Sequence, residues 1–279
     1  MERRKLCVIG DPVEHSKSPL VQNAMIRALG IPYEYGKVKV SRGETAAWLE
    51  RAKAEGYAGF NATMPHKVDL IPLMDELGED AKTFGAVNTV CIHSDGTTAG
   101  YNTDGRGFLR AIEDLGVFPE GLEACLLGAG GAAKAVALKL AKSGAKRVAV
   151  CNRTRARAEA LCAEDETGVL VPAGFDLESL KREAGRCRLL VNCTSLGMTG
   201  TKGQFEDLSF LQELPEDSAV YDLIYSPAET ELLKKARALG HRTANGLGML
   251  LYQGIFALEH FAGVKIDAAE MKKRVEEVL

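Results

Sequence analysis

Two polar residues far apart in the chain have the types that proton transfer needs. Lys67 closes the run Asn61-Ala62-Thr63-Met64-Pro65-His66-Lys67, and Asp104 stands within Asn102-Thr103-Asp104-Gly105-Arg106-Gly107. Apolar Val68, Ile71, Met74 and Leu77 predict a helix over 65–77, which puts Lys67 in its first turn. A cation at that end is repelled by the helix dipole, and the same field favours the neutral amine of a proton-transfer lysine. A local rule broken without gain is where function is expected; a solvated surface lysine is the plainer alternative. His66 reads as structural support. Asp104 either caps the helix that starts there or does chemistry. Gly105 and Gly107 cost that first turn helix propensity, so something approaches its backbone closely. Asn88, polar at a strand start, orients hydroxyls or satisfies a turn. Ser16 and Ser18 lie in His15-Ser16-Lys17-Ser18-Pro19. Pro19 suits the first helical position and Ser18 the N-cap, while Ser16 has no such local reason. Paired hydroxyls beside a helix N-terminus suit a carboxylate.

A second set could hold phosphates. Residues 124–127 read as a buried strand, Gly128-Ala129-Gly130-Gly131 as a turn, and 132–141 as a helix. Gly128 makes the tight turn, Gly130 admits a pyrophosphate close to the backbone, and Ala133 stands where a third glycine is usual. The helix N-terminus supplies free N–H groups and positive potential. The next apolar run, 146–151, ends in Asn152-Arg153-Thr154-Arg155-Ala156-Arg157. An NAD site usually carries an Asp or Glu there for the ribose 2′-hydroxyl. Here Asn152 and Arg153 occupy the place, and arginine grips a 2′-phosphate bidentately. NADP is therefore expected over NAD, with Arg153 and Arg157 as ligands, although Arg155 and Arg157 would also suit a solvated helix face.

The elements that position these groups alternate strand and helix along the chain, an α/β pattern with parallel sheets. Strands are expected at 6–9, 33–40, 57–63, 146–151, 169–171, 188–193 and 219–223, with a hairpin turning at Ser94-Asp95-Gly96. Helices are expected from Ser18 to Leu29, at 46–54, from 245 to about His260, and at 267–278. Thr194, Ser195 and Tyr225 follow strand ends, where a doubly wound sheet faces its cofactor, though turn chemistry also explains them. Gln253 is polar in an apolar stretch and needs a partner or ligand. The chain has 279 residues, enough for two ordinary domains, and a boundary is expected near Asp104. Hydrophobic content of 46% with 26% charged residues is that of a soluble globular protein. A net charge of −3 without a basic stripe argues against a nucleic-acid partner. Glu2-Arg3-Arg4-Lys5 leads straight into a strand with no signal-peptide core, and no apolar run approaches membrane length, so a cytoplasmic protein is expected. Seven scattered cysteines, several in apolar strands, read as reduced core thiols. Five histidines without ligand spacing predict no metal.

End to end, the chain resembles the shikimate dehydrogenase family. The likeness rests on His15 to Pro19, Asn61 to Lys67, Gly85-Ala86-Val87-Asn88-Thr89, Gly100-Tyr101-Asn102-Thr103-Asp104, Gly128 to Ala132, Asn152-Arg153-Thr154, and Asn245 to Gln253. The departures are Ala62, Met64 and Gln22, none of which removes a group the chemistry needs. The resemblance implies reversible NADPH reduction of 3-dehydroshikimate to shikimate, in chorismate and aromatic amino-acid biosynthesis. By that likeness Ser16 and Ser18 hold the substrate carboxylate, and Asn61, Thr63, Asn88, Asp104, Tyr225 and Gln253 the rest of the ring. Lys67 and Asp104 form the acid/base pair. Gly128, Ala129, Gly130, Gly131, Ala132, Asn152, Arg153, Thr154, Arg157, Thr194, Ser195, Leu223, Gly246 and Met249 face NADP. The implied fold is a two-domain α/β protein. Its α/β substrate domain comprises 1–104 and 241–279, with C-terminal helices returning to it. Its Rossmann-like doubly wound NADP domain covers 105–240, and a cleft lies between the two. A monomer or homodimer is expected. The rival readings are a quinate/shikimate dehydrogenase of broader substrate and cofactor range, and a non-catalytic NADP- or shikimate-binding regulatory homologue.

Overall fold

The computed structural model describes residues 3–277. Glu2 and Val278, which the sequence reading places at the entry to the first strand and in the last helix, lie outside the described residues. The chain divides into two compact units, one running to Gly107 and resuming at Leu250, the other Phe108–Met249.

The first unit contains β1 (Arg4–Gly10), α1 (Ser18–Leu29), β2 (Tyr33–Lys39), α2 (Thr45–Ala54), β3 (Tyr57–Ala62), β4 (Glu76–Leu77), α3 (Glu79–Phe84), β5 (Thr89–Ile92) and β6 (Thr98–Tyr101), and α4 (Asp104–Glu113) begins in it. Its sheet runs β2-β1-β3-β5-β6-β4. β1 is parallel to β2 and β3, but β5 runs antiparallel to both β3 and β6. The alternating pattern suggested parallel sheets and the turn at Ser94-Asp95-Gly96 a hairpin; the hairpin is present and makes this sheet mixed. Trp48, Leu49 and Ala52 of α2 bury against Ile9, Phe60 and Val90, at roughly 1.5–3 kcal/mol for each large side chain.

The second unit contains β7 (Glu123–Leu127), α5 (Gly131–Lys142), β8 (Arg147–Cys151), α6 (Arg155–Cys162), β9 (Leu170–Ala173), α7 (Leu177–Ala184), β10 (Leu189–Asn192), β11 (Ala219–Asp222), α8 (Glu231–Ala238) and β12 (Arg242–Ala244). All six strands are parallel, in the order β12-β11-β10-β7-β8-β9. Numbered within the unit and read from β9, that order is 3-2-1-4-5-6, the doubly wound dinucleotide-binding arrangement, with its switch point between β7 and β10. Because β12 pairs with β11, residues 241–249 stay with this unit. The unit boundaries thus fall at 107/108 and 249/250 rather than at 104/105 and 240/241. The last helices are α9 (Leu247–Ala262), which begins here and continues into the first unit, and α10 (Ala268–Glu276).

One expected element is absent. Residues 64–70 form successive turns and Ile71–Leu73 a single 3₁₀ turn, leading into β4, so no α-helix covers 65–77. Pro72 fits this: without an N–H it cannot make the i→i−4 bond an α-helix needs there, yet it is tolerated in the first turn of the short 3₁₀ segment. Val68, one of the four residues on the supposed apolar face, is 64% exposed. Five of the cysteines are buried and all seven are unpaired; burial pushes the Cys91 thiol up to about 12. Among the described residues no helix is long and apolar enough to cross a membrane.

Candidate active site

β1 and β3 are parallel neighbours, so the loops after Gly10 and Ala62 leave the same sheet edge. The Asp11 N–H donates to the Met64 carbonyl and the Thr63 N–H to that of Ile9. The antiparallel β5 starts at that edge, just after Asn88, and β6 ends there at Tyr101, before Asp104. Sheet topology therefore gathers Ser16, Ser18, Thr63, Lys67, Asn88 and Asp104 along one edge.

Lys67 and Asp104 meet there. Lys67 Nζ donates to Asp104 Oδ2 at 2.6 Å, with the side chains 29% and 12% exposed. Thirty-seven residues of chain separate them, so only the fold pairs them. The helix-dipole reason for singling out Lys67 is overturned, since it sits in a turn. That turn is fastened from three sides. The His66 N–H donates to the Thr63 carbonyl, and the Lys67 carbonyl accepts from Val87 N–H at 2.7 Å. The fully buried His66 ring bridges the Val40 carbonyl through Nε2 and the Thr45 hydroxyl through Nδ1, each at 2.8 Å. As a carbonyl only accepts, Nε2 carries a hydrogen. His66 is structural, as its sequence context indicated.

Asp104 opens α4 but does not cap it. Its own N–H donates to Asn102 Oδ1, and Thr103 N–H to Asn88 Oδ1, so the first N–H of the helix is met by Asn102 and not by a carboxylate. Its carboxylate is left for Lys67 and for Asn88 Nδ2, which donates to Oδ1 at 2.8 Å. Asn88 is thus a buried organiser that also donates to Thr103 Oγ1. Asn61 accepts from the buried Tyr35 hydroxyl at 2.7 Å and donates to the Asn88 carbonyl and Thr89 Oγ1. Every amide hydrogen of both side chains is already used, so donating to a ligand would require exchanging one of these bonds.

The roles of the two serines are the reverse of those expected. The N-cap of α1 is Lys17, with no side-chain cap bond, and Ser18 lies inside the helix. Ser16 Oγ accepts from Ser18 N–H at 3.2 Å, so it is Ser16 that supports the helix start. Its hydroxyl hydrogen remains free to donate, as does that of Ser18. The close approach expected at the glycines of α4 is found at Gly107, where a Cβ would lie 2.7 Å from the Gln253 nitrogen of α9. Gln253 Nε2 donates to the Leu250 carbonyl.

In the second unit Gly128 turns the chain at φ +109° and Gly130 caps α5. A Cβ added at Gly130 or Gly131 would meet nothing within 4 Å, so the helix N-terminus opens on free space, as a phosphate needs. Ala129 and Ala132 flank this turn, while Ala133 is fully buried. Asn152 Nδ2 braces the turn after β8 by donating to the Thr154 carbonyl, and Thr154 caps α6. Arg155 pairs with Glu159 at 2.8 Å. Arg153 and Arg157 are exposed and make no ion pair among the described residues. These features fit a 2′-phosphorylated dinucleotide. Thr194 and Ser195 follow β10 at the switch point, and Leu223 and Tyr225 follow β11. Gly246 packs against Leu223: a Cβ there would lie 2.0 Å from the Leu223 carbonyl oxygen. Met249 N–H donates to the Tyr221 hydroxyl. Sequence reasoning missed Tyr35, Thr103 and the buried Asp222; a carboxylate ending an apolar strand was the available signal for the last.

Three family models cover the chain in succession: a shikimate dehydrogenase substrate-binding domain (residues 8–90), a shikimate/quinate 5-dehydrogenase (117–199) and a shikimate 5′-dehydrogenase C-terminal domain (246–276). A shikimate dehydrogenase (NADP(+)) of Geobacter metallireducens is 43% identical over 98% of this chain and 96% of its own. The chain belongs to the shikimate dehydrogenase family. Within it, the shikimate 5-dehydrogenase of Thermus thermophilus solved with NADP(H) and shikimate superimposes with a TM-score of 0.83, at 33% identity over 99% of this chain and all of that one. Quinate dehydrogenase of Corynebacterium glutamicum solved with NAD scores 0.87, also at 33% identity, over 99% of this chain and all of that one.

Proposed function

We propose that the chain catalyses the reversible, NADP-dependent reduction of 3-dehydroshikimate to shikimate, a step of chorismate and aromatic amino-acid biosynthesis. The observation that carries the reading is the 2.6 Å Lys67–Asp104 pair at the gathered sheet edge, in a chain of this family. Reduction adds a hydride to the ring carbonyl carbon and a proton to its oxygen. When bound, NADPH supplies the hydride. Lys67 delivers the proton to the oxygen as it becomes an alkoxide. Asp104 holds the Lys67 ammonium and accepts from the neighbouring ring hydroxyl. Ser16 and Ser18 donate their free hydroxyl hydrogens to the ring carboxylate. Thr63, Gln253 and Tyr225 bind the ring hydroxyls, and Asn61 and Asn88 do so by exchanging a bond they now make to the protein.

The first unit serves as the substrate domain and the second as the NADP domain. In the second, N–H groups from Gly128 to Ala132 cradle the pyrophosphate. Arg153 and Arg157 grip the 2′-phosphate, with Asn152 and Thr154 shaping their turn. Thr194, Ser195, Leu223, Gly246 and Met249 line the rest. The protein works in the cytoplasm as a monomer or homodimer, without a nucleic-acid partner, as its net charge of −3 suggests.

The likeness to an NAD-bound quinate dehydrogenase favours one second reading, a broader quinate/shikimate enzyme. Turnover followed at 340 nm with shikimate or quinate, each with NADP or NAD, separates the two. Shikimate with NADP should give the highest kcat/KM. A preference for quinate or for NAD would install the second reading, and no turnover at all would favour a regulatory homologue.

A further inference from the structure

Asp222, at the end of β11, is fully buried and takes no part in the chemistry above. Its Oδ1 accepts from Asn192 Nδ2 and from Ile224 N–H, both at 3.0 Å, and its Oδ2 from the Thr230 hydroxyl at 2.7 Å. The donors come from three segments: the end of β10, the chain leaving β11, and the N-cap of α8. Asn192 passes the constraint on. Its Oδ1 accepts from Thr194 N–H at 3.0 Å and from the Thr194 hydroxyl at 2.7 Å, and Thr194 Oγ1 in turn accepts from Leu196 N–H. Thr194 then lies against the glycine turn, its methyl 3.0 Å from where a Cβ on Gly128 would stand. The register is common to all three strands, with Asn192 beside Leu127 on one flank and Asp222 on the other. A buried carboxylate with three donors is held firmly in place, and its donors here belong to the loops around the switch point.

We infer that Asp222 is a positioning residue for the cofactor: through Asn192 and Thr230 it sets the loops at 193–196 and 223–230 and seats Thr194 against the Gly128 turn, without touching NADP itself. The inference rests on the reading that the glycine turn holds NADP. Removing a donor or the acceptor lets these loops drift while the substrate unit, built on its own sheet, is untouched. The loss therefore falls mainly on NADP binding; of the groups assigned to the substrate only Tyr225 lies on these loops, so shikimate binding weakens far less.

Four variants of the full chain test this. Asp222→Ala removes the acceptor. Thr230→Val keeps the shape but removes one donor, and Thr230→Ser keeps the hydroxyl. Ser218→Ala deletes a buried bond to the Cys187 carbonyl at the opposite end of β11 and controls for plain loss of stability. Titration with NADP+ should give a dissociation constant raised about tenfold for Thr230→Val and more for Asp222→Ala, in line with the usual cost of an unsatisfied buried group. KM for NADP should rise in step, while kcat at saturating NADP stays at the wild-type value and the dissociation constant for shikimate rises far less than that for NADP+. Thr230→Ser and Ser218→Ala should bind NADP+ as the wild type does. Unchanged NADP+ affinity in a folded Thr230→Val overturns the inference, even where Asp222→Ala fails to fold. So does an equal loss in Ser218→Ala at a matched fall in Tm. A wild-type chain that does not bind NADP+ overturns the cofactor reading instead, and this inference with it.

Discussion

The turn that carries Lys67 and the turn that carries Gly128 follow strands of two different sheets, and they are built by different means. The glycine turn is a property of its local sequence: a buried strand, a left-handed glycine, a helix whose first N–H groups face open space. The lysine turn owes its shape to distant residues. Val40 and Thr45 hold the His66 ring, Val87 holds the Lys67 backbone, and Asp104, itself held by Asn88, takes the ammonium. Local sequence shapes the phosphate turn, with Thr194 resting against it from the next strand, whereas a proton-transfer pair is assembled wholly from remote parts. Damage to the first turn should therefore appear in kcat, and damage to the second in the affinity and selectivity for the cofactor.

The largest expected effect is that of Lys67→Ala. Loss of a positioned proton donor should lower kcat by ~10²–10⁴-fold with little change in KM, read from steady-state rates at 340 nm. A normal kcat with raised KM would make Lys67 a binding residue only. Replacing Arg153 and Arg157 together by alanine comes next. Charge-assisted bonds to a phosphate contribute about 1.5–3 kcal/mol, so kcat/KM with NADP should fall ~10–100-fold while that with NAD holds. Equal losses with both cofactors would mean that the arginines do not read the 2′-phosphate. Third, Gly246→Ala drives a methyl into the Leu223 backbone and should cost about 1–3 kcal/mol or more in urea unfolding; an unchanged midpoint would show that this loop yields freely.

The smallest effect concerns pH. Burial holds the Asp222 carboxyl above its usual value of 3.8, outweighing the bonds that pull it down. Such a group contributes stability that is fully present below the unfolded value and lost as pH rises through the folded one. Asp222→Asn should therefore flatten the fall of Tm with pH just above 3.8. The same slope in wild type and variant would assign it to another group.

The contrast also decides what could be read in advance. In the second unit, short apolar strands alternate with helices, and the glycines, Asn152 and Arg153 follow their strand ends at recognisable spacing, so the doubly wound order is legible. Of its strands only β12, three residues long, escaped, and with it the placement of residues 241–249; the short helices α7 and α8 were not read either. In the first unit the apolar run at Val68, Ile71 and Met74 has a spacing of three, which suits 3₁₀ turns as well as an α-helix. Pro72 inside it was the overlooked signal. Lys67 attracts notice in the sequence for a helix dipole that the fold does not contain; what makes it chemically interesting is Asp104, and no local pattern joins the two. Ser16 and Ser18 exchange capping roles through one hydrogen bond that spacing alone could not assign. Asp222 escaped because a carboxylate at a strand end looks like any loop residue until its burial is known.

The central claim, that Lys67 and Asp104 work as one unit on the substrate, is tested most directly by a double-mutant cycle on kcat with Lys67→Ala, Asp104→Ala and the double variant. The account predicts strong non-additivity, the double variant being little slower than Lys67→Ala alone. Losses that simply multiply, or a Lys67→Ala enzyme that keeps its kcat, would contradict it.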